Sequence, residues 1–224
     1  MNSKKRGLMI VFEGLDRCGK STQAKKLKAF FELKSQSAEI INFPDRSTDS
    51  GKVLDSYLKQ SKNLKIRAQH LLFSFNRWEK VEDILSSLDK GVNIIVDRYA
   101  FSGVAYSVAK GENLEWCLVP DQNLPRPDIV FQLDTDTETI KVRANFGEER
   151  HDNVDFLLKV KNAYKNFHKY PYWNLIDASK EIEDIHTQIS FKVQELLNYY
   201  ESCDDDEKRN YYPRKIGEDL FKKV

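Results

Sequence analysis

Residues 14–22 read Gly14-Leu15-Asp16-Arg17-Cys18-Gly19-Lys20-Ser21-Thr22. The apolar run Leu8-Met9-Ile10-Val11-Phe12 precedes them, and apolar residues at helical spacing follow from Gln23 to Leu33. This is the G-x-x-x-x-G-K-[ST] pattern in the strand, loop, helix context that a phosphate-binding loop requires. The glycines let the backbone bend so that successive N–H groups converge on anionic oxygens. The helix that follows adds its positive dipole end. Lys20 supplies a mobile point charge for β- and γ-phosphates, and the Ser21 hydroxyl is a ligand for Mg²⁺. The chain is therefore read as binding a nucleoside triphosphate.

Working outward, strand-like runs recur at Leu8–Phe12, Glu39–Phe43, Val92–Val96, Asp128–Leu133 and Trp173–Ile176. Helical spacing fills the intervals Ser21–Leu33, Gly51–Leu58, Leu64–Leu88, Thr135–Ala144, Asp155–Phe167 and Ile182–Tyr200. Alternation of this kind predicts an α/β fold, a parallel sheet with helices on both faces. Such sheets bind ligands at the carboxyl ends of their strands.

Composition fits one such domain over residues 1–224, with a polar C-terminal tail from about 202. The chain has 224 residues, 40% hydrophobic, and no linker, repeat or low-complexity segment. Lys+Arg 36 against Asp+Glu 35 gives net charge +1, which offers no support for a nucleic-acid or membrane surface. The cysteines Cys18, Cys117 and Cys203 form neither a metal-ligand pair nor a disulfide framework, so a reducing cytoplasmic setting is expected, with nuclear access left open. The first apolar run is short and is interrupted by Glu13, so it reads as a strand and not as a signal peptide or membrane span.

The strand ends carry the chemistry. The first presents Asp16 and Arg17, the second Phe43-Pro44-Asp45-Arg46-Ser47-Thr48, and the third Asp97-Arg98-Tyr99. Several arginines at one ligand-binding edge argue against independent surface charges. Asp134, at the end of the fourth run, is placed to cap the next helix. The polar stretch from Arg143 to Asn153 is either an ordinary loop or a lid carrying Arg143 and Arg150 over a triphosphate. In the segment Gln69–Trp78, Leu71, Phe75 and Trp78 suit core or interface packing. Phe73 and Arg77, at i and i+4, share a helical face, where ring and guanidinium could hold a nucleobase. His70, His168 and His186 have no metal-ligand companions and are read as structural.

These pieces together resemble thymidylate kinase (dTMP kinase) in its eukaryotic and poxviral form. The resemblance rests on residues 12–23, on Phe43-Pro44-Asp45-Arg46-Ser47-Thr48, and on Leu71-Leu72-Phe73-Ser74 with Asn76-Arg77-Trp78-Glu79. It continues in Val96-Asp97-Arg98-Tyr99-Ala100-Phe101-Ser102-Gly103-Val104-Ala105-Tyr106, Leu124-Pro125-Arg126-Pro127-Asp128 and Asp177-Ala178-Ser179, spanning roughly Gly7 to Phe191. It implies the nucleoside-monophosphate kinase fold: a P-loop NTPase-type parallel five-stranded sheet with a short lid, here at about 134–157. The implied reaction moves the γ-phosphate of ATP to dTMP with Mg²⁺, in a homodimer that needs neither nucleic acid nor membrane.

By the same resemblance, Cys18, Gly19, Lys20, Ser21 and Thr22 bind the ATP phosphates, with Arg17 reaching the γ-phosphate. Arg143 lies over adenine near Asp177 to Lys180. Arg46 grips the dTMP phosphate, Arg98 bridges donor and acceptor, and Arg150 joins them from the lid. Asp16 meets the 3′-hydroxyl, Phe73 stacks on thymine, and Arg77 binds its O4. Phe43, Leu58, Gly103, Tyr106 and His151 complete the acceptor site. Ser21 holds Mg²⁺ directly and Asp97 through water. Two positions depart from the family pattern: His151 stands where Tyr is common, and Leu157 where Gln is common. Leu157 reads more naturally as helix packing.

Donor and acceptor counting supports the base choice. Arg only donates; thymine and uracil present an acceptor at O4, and cytosine presents a donor there. The 5-methyl group is worth only about 1–3 kcal/mol, so some dUMP activity is expected. Another pyrimidine nucleoside-monophosphate kinase, or a catalytically silent nucleotide-binding module, remains an alternative at this stage.

Overall fold

The computed structural model describes residues 6–136 and 153–202. Five strands form one sheet: β1 (Met9–Gly14), β2 (Ala38–Asn42), β3 (Asn93–Asp97), β4 (Ile129–Asp134) and β5 (Trp173–Asp177). All neighbours are parallel, in the order β2-β3-β1-β4-β5. The three inner strands are near-continuous buried apolar runs, as a sheet covered on both faces demands. The strands extend past the apolar runs to the residues that carry chemistry, Gly14 in β1 and Asp97 in β3.

Alternation along β1 divides the core. Met9 and Val11 face one side, with Ile94, Val96 and Val130. Ile10 and Phe12 face the other, with Ile95, Phe131 and Leu133. The second side is covered by α1 (Lys20–Leu33) through Ala24, Leu27 and Phe31, and by α8 (Ile182–Ser202) through Ile185, Ile189 and Val193. The first side is covered by α4 (Val81–Asp89), α5 (Ala100–Ala109) and α7 (Val154–Tyr164). Two further helices, α2 (Asp49–Leu58) and α3 (Ile66–Trp78), pack together beside α5, and α6 (Leu114–Leu118) runs into a 3₁₀ turn at Val119–Asp121.

One expectation changes. The single helix expected over Leu64–Leu88 is two, α3 and α4, because its halves bury different kinds of surface. The buried face of α3 is polar, with Gln69, His70, Ser74, Asn76 and Arg77, while α4 buries Ile84 and Leu88 against the sheet. The segment after Arg98 is helix α5, buried almost all round and so without the polar stripe that marks a surface helix. The helix α7 starts at Val154, inside the range expected for the lid, where the Asn153 side chain accepts from the Phe156 N–H at 3.0 Å. Leu157 is fully buried in α7, as helix packing predicts. Asp134 ends β4 and pairs with Lys161 at 2.8 Å; the helix it was expected to cap lies largely outside the described residues.

Candidate active site

The loop after β1 takes its shape from two glycines with different needs. Gly19 has φ 102° and precedes α1, yet a Cβ there would meet nothing within 4 Å, so its requirement is conformational. At Gly14, φ 134°, a Cβ would also strike the Leu133 carbonyl oxygen at 2.5 Å. Arg17 adopts a left-handed φ of 61° within the turn. Lys20 is buried and donates to the Leu15 carbonyl at 2.6 Å, which holds its ammonium against the loop.

Ser21 Oγ donates to Asp97 Oδ2 at 2.5 Å, joining the loop to the end of β3. Two hard oxygens at the mouth of a phosphate loop suit Mg²⁺, which takes one or two protein ligands and completes its shell with phosphate oxygens and water. Among the described residues no cluster of three or more His, Cys, Asp or Glu side chains could form an all-protein cage.

Arg98, with a left-handed φ of 70°, is fixed from three directions. Nη1 donates to the Gly14 carbonyl and to Ser102 Oγ, both at 3.0 Å, and Nη2 donates to Asp16 Oδ1 at 2.6 Å. Tyr106 donates its hydroxyl to the other Asp16 oxygen at 3.0 Å. Burial works against the Asp16 charge, but Arg98 and then Lys20 outweigh it, and the carboxyl sits well below the usual range. Burial likewise opposes the Arg98 charge and Asp16 overcomes it, so Arg98 stays a cation.

Beneath this pair lies Glu13, fully buried in β1. It accepts from the N–H groups of Tyr99 and Ser102 at 2.9 and 3.1 Å, from the Tyr164 hydroxyl at 2.9 Å, and from Ser102 Oγ. Burial raises its pKa, and the surrounding donors and Arg98 act in the opposite direction. Glu13 thus ties the strand before the phosphate loop to the turn that presents Arg98.

A cavity of about 740 Å³ opens along these strand ends. The phosphate loop, from Asp16 to Thr22, borders it on one side. Phe43, Arg46, Leu58, Phe73 and Arg77 line it too, as do Asp97, Arg98, Gly103 and Tyr106. Every sequence-predicted site residue within the described segments therefore faces one space. Arg46 projects from the loop after β2, 44% exposed, with Nη1 2.7 Å from Asp55 Oδ1. Arg77 is buried and held by Asp121. Ala178, Lys180, Ile182 and Ile185 also line it, and Gln23 of α1 donates to the Ile182 carbonyl at 2.9 Å. Arg143, Arg150 and His151 lie outside the described residues.

Sequence reasoning passed over Glu13 and Asp121. Glu13 had a signal of its own, a carboxylate directly after an apolar run and before the first glycine of the phosphate loop. Asp121 had none, since its partner Arg77 is 44 residues away.

Comparison with known proteins places the chain in a family. The family model described as thymidylate kinase matches residues 12–189. Thymidylate kinase of Schizosaccharomyces pombe is 43% identical over 209 residues, which cover 91% of this chain and 99% of the relative. Human thymidylate kinase is 44% identical over 196 residues, covering 86% and 92%. The solved structure of thymidylate kinase from Candida albicans matches with a TM-score of 0.80 at 38% identity, over 86% of this chain and 93% of that one. The chain belongs to the thymidylate kinase family.

Proposed function

We infer that this chain transfers the γ-phosphate of ATP to dTMP, giving dTDP and ADP, with both nucleotides in the cavity at the strand ends. ATP lies with its phosphates on residues 17–22 and its base toward Ala178 and Lys180. Thymidylate lies with its base at Phe73 and Arg77 and its phosphate between Arg46 and Arg98. One observation carries this reading: a phosphate loop and a second set of arginines border the same cavity.

The chemistry needs positioning more than proton transfer. A phosphate monoester has its second pKa near ~6, so dTMP is already mostly dianionic at pH 7 and requires no general base. The barrier lies in bringing two polyanions together and stabilising charge on the phosphoryl group in flight. Lys20 and Arg17 offset the donor phosphates, and Arg46 orients the acceptor. Arg98, fixed by Gly14, Ser102 and Asp16, sits between them and needs no rearrangement as charge develops. Ser21 and Asp97 would hold Mg²⁺, which would supply positive charge against the donor phosphates. Asp16 and Tyr106, joined by a hydrogen bond, form the wall against the sugar.

Two finer readings accompany this one. Leu71, Phe75 and Trp78 are exposed on α3 beside Val119, an apolar stripe suited to a second copy of the chain. Cys18 and Cys117 are buried free thiols, which suits a reducing compartment such as the cytoplasm. Among the described residues no helix is long and apolar enough to cross a membrane.

A coupled ADP-release assay with ATP, Mg²⁺ and a panel of monophosphates tests the assignment. The expected order is dTMP first and dUMP second, with CMP and dGMP near background. Preference for CMP or dGMP would overturn it.

A further inference from the structure

The cations around the cavity are not equivalent. Arg46 and its partner Asp55 are 44% and 24% exposed, so solvent screens the pair and the guanidinium keeps its hold on an incoming anion. Arg77 and Asp121 are each 2% exposed and 2.6 Å apart. Asp121 accepts from Arg77 Nε at 3.0 Å and from Nη2 at 2.9 and 2.6 Å. Ser74, on the same helix, donates to Asp121 Oδ1 at 2.7 Å and fixes the carboxylate in turn. On the opposite side the guanidinium rests on Gly103: a Cβ there would meet Nη2 at 2.9 Å and Nη1 at 3.2 Å. Among the described residues Nη1 has no hydrogen-bond partner, and Arg77 borders the cavity while Asp121 does not.

A guanidinium whose charge is cancelled at contact distance in a dry site attracts a phosphate weakly. It still donates, and from Nη1, because its other two nitrogens are committed to Asp121. We propose that Asp121 is a positioning residue that converts Arg77 from a phosphate-binding cation into a donor of fixed direction, aimed at the carbonyl at position 4 of a pyrimidine. The proposal rests on the reading that the Phe73 and Arg77 end of the cavity takes the base. The division of labour follows from charge. Arg46 and Arg98 meet the anionic end of the acceptor, and the neutralised Arg77–Asp121 pair meets its neutral end, so the nucleotide enters in one orientation. Cytosine, with a donor at position 4, meets a donor that cannot turn away.

The test pairs a change in the protein with a change in the ligand. In 4-thio-dTMP the N3–H remains but position 4 is a poor acceptor. For the unaltered protein kcat/KM is expected to fall about tenfold from dTMP to 4-thio-dTMP, the cost of weakening one charge-assisted hydrogen bond. In Asp121→Asn that penalty is expected to shrink to about twofold or less, with the loss on dTMP appearing mainly in KM. A purely structural Asp121 would lower stability and leave the penalty intact, and an undiminished penalty in folded Asp121→Asn overturns the proposal. If that variant does not fold, Gly103→Ala replaces it: it keeps the ion pair and lifts the guanidinium off its seat, and an undiminished penalty there overturns the proposal equally. No penalty in the unaltered protein would instead refute the placement of the base, and the proposal with it.

Discussion

At the scale of single residues, this site is governed by cations whose directions are fixed in advance. Arg98 makes three hydrogen bonds to Gly14, Ser102 and Asp16, and its left-handed backbone is held by the Glu13 carboxylate below. Such preorganisation avoids reorganisation at the moment of transfer. Arg98→Ala is therefore expected to lower kcat by about 10³-fold or more, by analogy with arginines serving phosphoryl transfer elsewhere. Its melting temperature should change far less than its turnover. Near-normal ADP release by the folded variant would remove Arg98 from the chemistry. The glycines of the loop permit a second comparison. Gly19 needs only its left-handed backbone, so Gly19→Ala should cost about 1–2 kcal/mol in urea unfolding. Gly14→Ala adds a collision with the Leu133 carbonyl and must cost more; equal losses would contradict the stated geometry. The motif spelling made both glycines visible in the sequence. Glu13 and Asp121 were less legible, because a buried carboxylate is defined by donors that arrive from 44 to 151 residues away.

At the scale of elements, α3 departs most from what patterning suggests. Its buried face is polar: Gln69 and Arg77 border the cavity, while His70, Ser74 and Asn76 bond to neighbouring loops and helices, and its apolar residues Leu71, Phe75 and Trp78 are exposed. Hydrophobic spacing reports a helix but not which face turns inward, so α3 and α4 merged in the sequence reading. Helix α5 was missed for the opposite reason, being buried nearly all round. His70 joins these elements. Its Nε2 donates to the Cys117 carbonyl of α6, which fixes the tautomer, and Nδ1 accepts from the Ser107 hydroxyl of α5, both at 2.8 Å. Burial lowers its pKa below 6.5; Asp121 acts in the opposite direction and Arg77 adds to the lowering. The unfolded chain thus takes up a proton that the folded protein resists. This contribution to stability is complete above about pH 6.5 and is lost as pH falls through the folded pKa. His70→Gln cannot titrate, so its deficit in melting temperature relative to the unaltered protein should be largest at pH 7.5 and smaller at pH 5.5. Parallel melting curves across that range would exclude His70 as the titrating group.

At the scale of the whole molecule, the parallel sheet and its helical layers were legible because alternation of apolar runs and amphipathic helices leaves few other architectures. The strand order was not, since sequence spacing does not say which strands become neighbours; the order β2-β3-β1-β4-β5 sets β1 at the centre. That order gathers the loops after β1, β2 and β3 at one edge and leaves α3 at the flank, with one face on the cavity and the other outward. Leu71, Phe75 and Trp78 recur at helical spacing along that outer face, 48%, 56% and 40% exposed, with Val119 at 56% beside them. Exposed apolar side chains grouped on one helix face are the kind of surface that association of two copies would cover. Because Phe73 and Arg77 occupy the same helix, pairing two copies through α3 would also brace the base end of each cavity. In sedimentation velocity the protein is expected at twice the mass of one chain. Phe75→Glu, which places a charge at the centre of the stripe, is expected to sediment as a single chain, with a raised KM for dTMP as the unbraced helix loosens. A single-chain mass for the unaltered protein, or an unchanged mass for Phe75→Glu, would assign that stripe to some contact other than self-association.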